Sequence, residues 1–152
     1  MTDSRDGKSY KTITIGNQIW MAENLNYNAK NSVCDSCSIF GRFYIWSDNE
    51  KYCPTDWHIP SEDEWQILLD AAGGEEIAGF HLKSIEGWSG YGGIDSLGFN
   101  GLPSGYHHSF VGESYNGLTK TITVLLTGIF HQKTSGKNFW MSQAVKKSQD
   151  SI

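Results

Sequence analysis

Between residues 65 and 72 the apolar positions fall at Trp65, Leu68, Leu69 and Ala72, the i, i+3, i+4, i+7 spacing of one buried helical face. The polar residues before this stripe mark where the helix begins. Pro60 keeps Ile59 out of the helical region. Ser61 then reads as an N-cap with Glu64 at N3, a capping box in which each side chain satisfies the other's backbone N–H. Glu62 and Asp63 put negative charge at the positive end of the helix dipole, and Gly73-Gly74 ends the run. A helix over 62–72 follows. Upstream, residues 10–15 (Tyr-Lys-Thr-Ile-Thr-Ile) alternate, Gly16-Asn17 suits a tight turn, and Gln18-Ile19-Trp20-Met21 resumes the apolar character, which predicts a β-hairpin. Residues 41–46 suit strand or helix by pattern alone, and Phe43 with Trp46, or Tyr44 with its neighbours, fits a short helix ending before Cys53-Pro54. Residues 81–101 are rich in Gly and Ser with Trp88, Tyr91 and Phe99 interspersed, the pattern of long loops pinned by rings. The stretch 99–106 should approach a strand anchored by Leu102 and Tyr106, and the β-branched residues 121–130 read as a further strand. No internal repeat is visible.

Composition narrows the class. A chain of 152 residues is one domain with room for a core. Charged residues make up 19%, while 17 Gly, 6 Trp, 7 Tyr and 7 Phe suit a loop-rich domain held by aromatic rings. A net charge of −5 argues against nucleic acid, which needs clustered Lys and Arg. No stretch approaches the roughly 18–20 apolar residues of a membrane span. The N-terminus is polar from its first residues and carries no signal peptide, so the chain at face value reads as cytoplasmic. Charge also shifts along the chain: five lysines and one aspartate follow residue 118, whereas nearly all the acids precede it. That shift sets a boundary near Leu118, between a 3–118 domain and a 119–152 segment.

Several motifs together resemble a known family. They are Asp6-Gly7-Lys8-Ser9-Tyr10, the run Ile19-Trp20-Met21-Ala22-Glu23-Asn24-Leu25-Asn26-Tyr27, and Gly41-Arg42-Phe43-Tyr44 with Trp46. Cys53-Pro54, Trp57-His58-Ile59-Pro60-Ser61 and Glu64-Trp65 continue the set, and Leu82-Lys83-Ser84, Trp88 and Gly98-Phe99-Asn100-Gly101-Leu102-Pro103-Ser104-Gly105-Tyr106 complete it. In this order, over about residues 3–112, they are similar to the Fibrobacter succinogenes major paralogous domain, a bacterial surface or lipoprotein module. That family looks like the C-type-lectin-like fold shared with formylglycine-generating enzymes. The resemblance implies an α+β domain, C-type-lectin-like, with two helices packed on a small twisted antiparallel sheet and long loops to one side. It implies a cell-surface or extracellular, non-catalytic binding or adhesion module whose partner is carbohydrate or another surface protein. An enzyme related to formylglycine-generating enzymes, or a fragment of a larger paralogous protein without its own function, are the alternatives. Residues 119–152 lack the family's aromatic Trp-Ser-Ser-x-Glu segment and its Arg-Cys strand, and are expected to be divergent, frame-shifted or disordered. Met1 reads as an internal methionine of a longer exported protein.

The candidate chemistry is sparse. Cys34-x-x-Cys37 suits a redox pair, half a zinc site or a local disulfide. A zinc site needs two more ligands at a fitting spacing, and the polar surroundings favour a structural disulfide. By resemblance, Cys53 would pair with the missing Arg-Cys strand, so here it is expected to keep an unoxidised, partly buried thiol. His107-His108 would point to opposite faces of a strand and make poor co-ligands. His58 is expected to hydrogen-bond within the core, and Glu62, Asp63 and Glu64 are already accounted for by capping. Asp95, Asn100 and Pro103 form no calcium motif. No metal, cofactor or catalytic residue is therefore expected. The binding candidates are Trp88, Tyr91, Tyr106 and Tyr115, flat rings among Gly and Ser able to stack on a sugar or anchor a protein. For Trp88 and Tyr106 the blander role, packing loops onto the core, is the preferred one.

Overall fold

A computed structural model of the chain describes residues 1–30, 32–34, 36–45, 51–89, 92–104, 106–108, 114–115, 139–141 and 146–147. Residues 121–130, Trp46, Tyr91 and His131 lie outside the described residues. The hairpin forms as its alternation dictates: β1 (Thr12–Ile15) pairs antiparallel with β2 (Gln18–Met21), Ile13 opposite Trp20 and Ile15 opposite Gln18. Gly16 takes a φ of 60° in the turn between them, a left-handed conformation that Gly adopts without a Cβ penalty.

A four-residue helix, α1 (Cys37–Phe40), and a short strand, β3 (Tyr44–Ile45), come next. Of the two readings open for 41–46, the strand is the one taken, at residues 44–45. Gly41, at a φ of 68°, ends α1, and Phe43 exchanges both backbone hydrogen bonds with Val33, at 2.8 and 3.0 Å. Those groups are then spent across the chain and cannot close a helical turn.

After β4 (Trp57–His58), α2 (Glu62–Ala71) begins at the capping box. Ser61 Oγ accepts from the Glu64 N–H at 3.3 Å, and Glu64 Oε2 accepts from the Ser61 N–H at 2.9 Å. Trp65, Leu68, Leu69 and the C-cap Ala72 are all buried. The expected pair of helices becomes three among the described residues, because α3 (Glu75–Leu82) follows almost at once. Gly74, at a φ of 92°, redirects the chain, and Glu75 and Glu76 supply the acidic first turn. Its core contribution is only Ala78 and Leu82, one i, i+4 pair, with Gly79 inside, so the sequence signal was weak.

Four short strands complete the fold: β5 (Tyr106–His108), β6 (Ser114–Tyr115), β7 (Phe139–Met141) and β8 (Lys146–Lys147). One sheet has the order β1-β2-β8-β4 and the other β3-β7-β5-β6, with antiparallel pairing throughout. The class is α+β, as the resemblance implied. The segment after residue 118 supplies an inner strand to each sheet.

β2 is buried on both sides and separates two apolar clusters. Trp20 points into the cluster beneath α2 and α3, where its ring centroid lies 5.0 Å from Trp65 and 5.8 Å from Phe99. Met21 points the other way, to Tyr10, Leu25, Tyr44, Tyr52 and Trp57. The alternation of a strand therefore feeds two cores from one short segment. Buried Gln18 uses its side-chain oxygen to accept the Trp20 indole N–H at 3.2 Å, which satisfies both groups.

Candidate functional site

The end of α3 and the loop that returns across it build the most defined platform around a predicted site residue. Lys83 leaves the helix in extended conformation and bridges in parallel to Gly101. The Ser84 N–H donates to the Gly101 carbonyl at 3.0 Å, and the Gly101 N–H donates to that of Leu82 at 2.9 Å. Gly93 lies against this turn so closely that a Cβ there would sit 2.2 Å from the Lys83 carbonyl oxygen. Its own N–H donates to the Ser84 carbonyl at 3.2 Å. Only Gly allows the two backbones this approach.

Trp88 sits half-buried on that scaffold. Its indole N–H is shared between Ser84 Oγ at 3.1 Å and the Gly101 carbonyl at 3.0 Å. Ser84 Oγ in turn donates to the Glu86 carbonyl at 2.8 Å. The Lys83 ammonium lies 5.0 Å from the Trp88 ring centroid, within cation–π range. Lys83 is only 4% exposed, and burial pushes its pKa below the ordinary lysine value. The neighbouring loop is braced as well. Asp95 Oδ1 accepts the Asn100 N–H at 2.7 Å, and His81 Nδ1 lies 2.7 Å from Ser96 Oγ. Asp95 and Asn100 hold φ values of 45° and 55°, which residues of these two types tolerate better than most. With its N–H tethered and a cation against it, the Trp88 ring is oriented before any ligand arrives.

The other predicted site residues are placed differently. Tyr91 lies outside the described residues. Tyr106 and Tyr115 stand directly opposite each other in register on β5 and β6, so the fold makes a cross-strand pair of two candidates 9 residues apart in the chain. Cys34 and Cys37 are joined in a disulfide with Cα atoms 5.3 Å apart, and Cys53 is a half-buried thiol outside it. Closing so small a ring restricts the unfolded chain by only about 2 kcal/mol in the loop-entropy picture. Among the described residues no group of three or more His, Cys, Asp or Glu side chains is gathered as a metal site would be.

Three constellations escaped sequence reasoning. His58 Nε2 lies 2.9 and 3.0 Å from the two Glu64 oxygens, at the surface end of β4 rather than in the core. Glu64 thus serves a helix cap and a histidine together. Arg5 grips Asp3 with two hydrogen bonds, 2.9 and 2.6 Å, while its guanidinium carbon lies 3.8 Å from the Tyr27 ring centroid. Arg42 reaches Ser32 Oγ at 3.1 Å, Asn28 Oδ1, and Cys37 Sγ at 3.5 Å. The motif Asn24-Leu25-Asn26-Tyr27 explains part of this. Asn24 and Asn26 donate their side-chain amides to the carbonyls of Phe40 and Cys37, and the Arg42 N–H donates to the Leu25 carbonyl. The motif is the dock for α1.

A family model described as the Fibrobacter succinogenes major domain matches residues 13–151. The match extends well past residue 112, where the motifs that carried the resemblance end. No curated protein and no solved structure matches the chain.

Proposed function

Because the chain belongs to the Fibrobacter succinogenes major domain family, we propose that it is a non-catalytic, surface-associated binding module of C-type-lectin-like fold whose ligand is a polysaccharide. The observation that supports this reading best is the Trp88 platform. A half-buried ring, held by two acceptors on its N–H and by a cation near its centroid, offers a flat apolar face at little entropic cost. Sugar rings present axial C–H groups to such faces. The cell-surface setting comes from the family resemblance and fits a ligand of this class.

A glycan array probed with the purified chain tests the reading. Signal on a polysaccharide class, lowered at least about tenfold by Trp88→Ala, is the expected result, since losing a central aromatic anchor costs about 2 kcal/mol or more. Trp88→Phe keeps the flat ring and loses the tethered N–H, so intermediate binding is expected. A blank array, or signal that Trp88→Ala leaves unchanged in a folded protein, removes the proposal. Binding to another surface protein instead of sugar would show as capture by a protein array with the same Trp88 dependence.

A further inference from the structure

The disulfide beside Arg42 has the features of a bond that exchanges. Both sulfurs belong to half-buried rather than buried residues. Each also has a donor that stabilises negative charge on it. The Cys37 N–H donates to Cys34 Sγ at 3.0 Å, and the Arg42 guanidinium approaches Cys37 Sγ at 3.5 Å. A thiolate is a better leaving group when a cation or N–H lowers its pKa. The alternative, a purely structural staple, is a weak account of this pair. The ring closes over four positions, so it restricts little of the chain. The surrounding turn is already held by Asn24, Asn26 and the Arg42 N–H, none of which needs the S–S bond.

We propose that Cys34–Cys37 is a thiol–disulfide exchange site for low-molecular-weight thiols, with Arg42 as the residue that holds the departing sulfur. An incoming thiolate attacks Cys34 Sγ. The S–S bond breaks, and its electron pair goes to Cys37 Sγ, which leaves as a thiolate beside the Arg42 guanidinium. A mixed disulfide remains on Cys34. A second thiolate attacks the outer sulfur of that mixed disulfide and releases Cys34 as a thiolate. The protein pair gains two electrons, and the two small thiols lose them as their own disulfide. Arg42 is a positioning residue here, because it acts on the sulfur and not on the incoming thiol. Asp35 lies between the two cysteines in the chain and outside the described residues. Among the described residues no carboxylate hydrogen-bonds to either sulfur.

The test equilibrates the folded, oxidised chain with glutathione and glutathione disulfide in varied ratio. Alkylation and peptide mapping then read Cys34, Cys37 and Cys53 separately, and circular dichroism follows the fold. Expected are reduction of the 34–37 pair with the dichroism retained, and a Cys34–glutathione adduct at intermediate ratios. In the reduced protein, Cys37 alkylation should have its midpoint at a lower pH than that of an ordinary thiol. Arg42→Gln should slow exchange by on the order of tenfold and raise that midpoint, while Asn28→Ala, which removes another Arg42 partner, stays within about twofold. Arg42→Lys keeps the charge and should recover most of the rate. A pair that resists glutathione until denaturant unfolds the chain would overturn the proposal. So would an adduct found on Cys37 alone, or an unchanged Cys37 midpoint in folded Arg42→Gln.

Discussion

At the residue scale, polar groups placed away from water decide most of what can be tested. Asp3 is 1% exposed, and Arg5 engages both its oxygens. The hydrogen bond from Arg5 lowers the Asp3 pKa below its ordinary value, although burial pulls the other way. In the window between the lowered folded value and the ordinary one, the unfolded chain therefore binds more protons. The stabilisation is complete above the ordinary carboxylate range and is lost as pH falls through the folded value. Asp3→Asn should cost about 1.5–3 kcal/mol at neutral pH, the usual range for a charged hydrogen bond, and should flatten the acid limb of urea-unfolding midpoints measured against pH. Burial raises the Tyr44 pKa in the same way, and its hydroxyl donates to the Tyr27 carbonyl at 2.9 Å. None of these pairings was legible beforehand. The Asp3–Arg5 spacing is too common to signal anything, and Tyr27 joins both Arg5 and Tyr44 only because the chain folds back on itself.

At the element scale, α2 was readable almost completely, because its start, stripe and stop all lie within about a dozen residues of one another. Ser61→Ala should lower stability by about 1 kcal/mol through the lost cap. Glu64→Gln keeps an acceptor for the Ser61 N–H and gives up the carboxylate charge, which lies both against His58 and in the first turn of the helix, a change of about 0–1 kcal/mol for a partly exposed pair. Chemical denaturation of the two variants compares the cap with the Glu64 charge: a cost for Glu64→Gln equal to or above that for Ser61→Ala would mean that the charge outweighs the Ser61 cap. The hairpin was readable for the same local reason. α3 and β3 were not. The first offers the core one i, i+4 pair, and the second is a two-residue strand whose partner lies nearly a hundred residues away. A strand of two residues has no period to read.

At the scale of the whole molecule, the inner positions of both sheets belong to β7 and β8, from the far end of the chain. β8 lies between β2 and β4, and β7 between β3 and β5. Truncation after Leu118 removes both and should abolish the cooperative thermal transition seen by circular dichroism. A sharp melt in the truncated chain would mean that the two apolar clusters fold without these strands. The candidate site was half legible: Trp88 could be singled out, whereas the Lys83 cation near its ring and the Gly101 carbonyl on its N–H could not. By itself the sequence determined the elements whose start, period and stop signals lie close together along the chain, namely the capped α2 and the β1–β2 hairpin, and the family motifs. Tertiary structure alone decided which strands fill the sheets, that Tyr106 and Tyr115 pair in register, and that Asn24 and Asn26 hold α1. These depend on backbone and side-chain groups distant in sequence finding each other's unmet hydrogen bonds, and no local pattern records which distant partner will supply them.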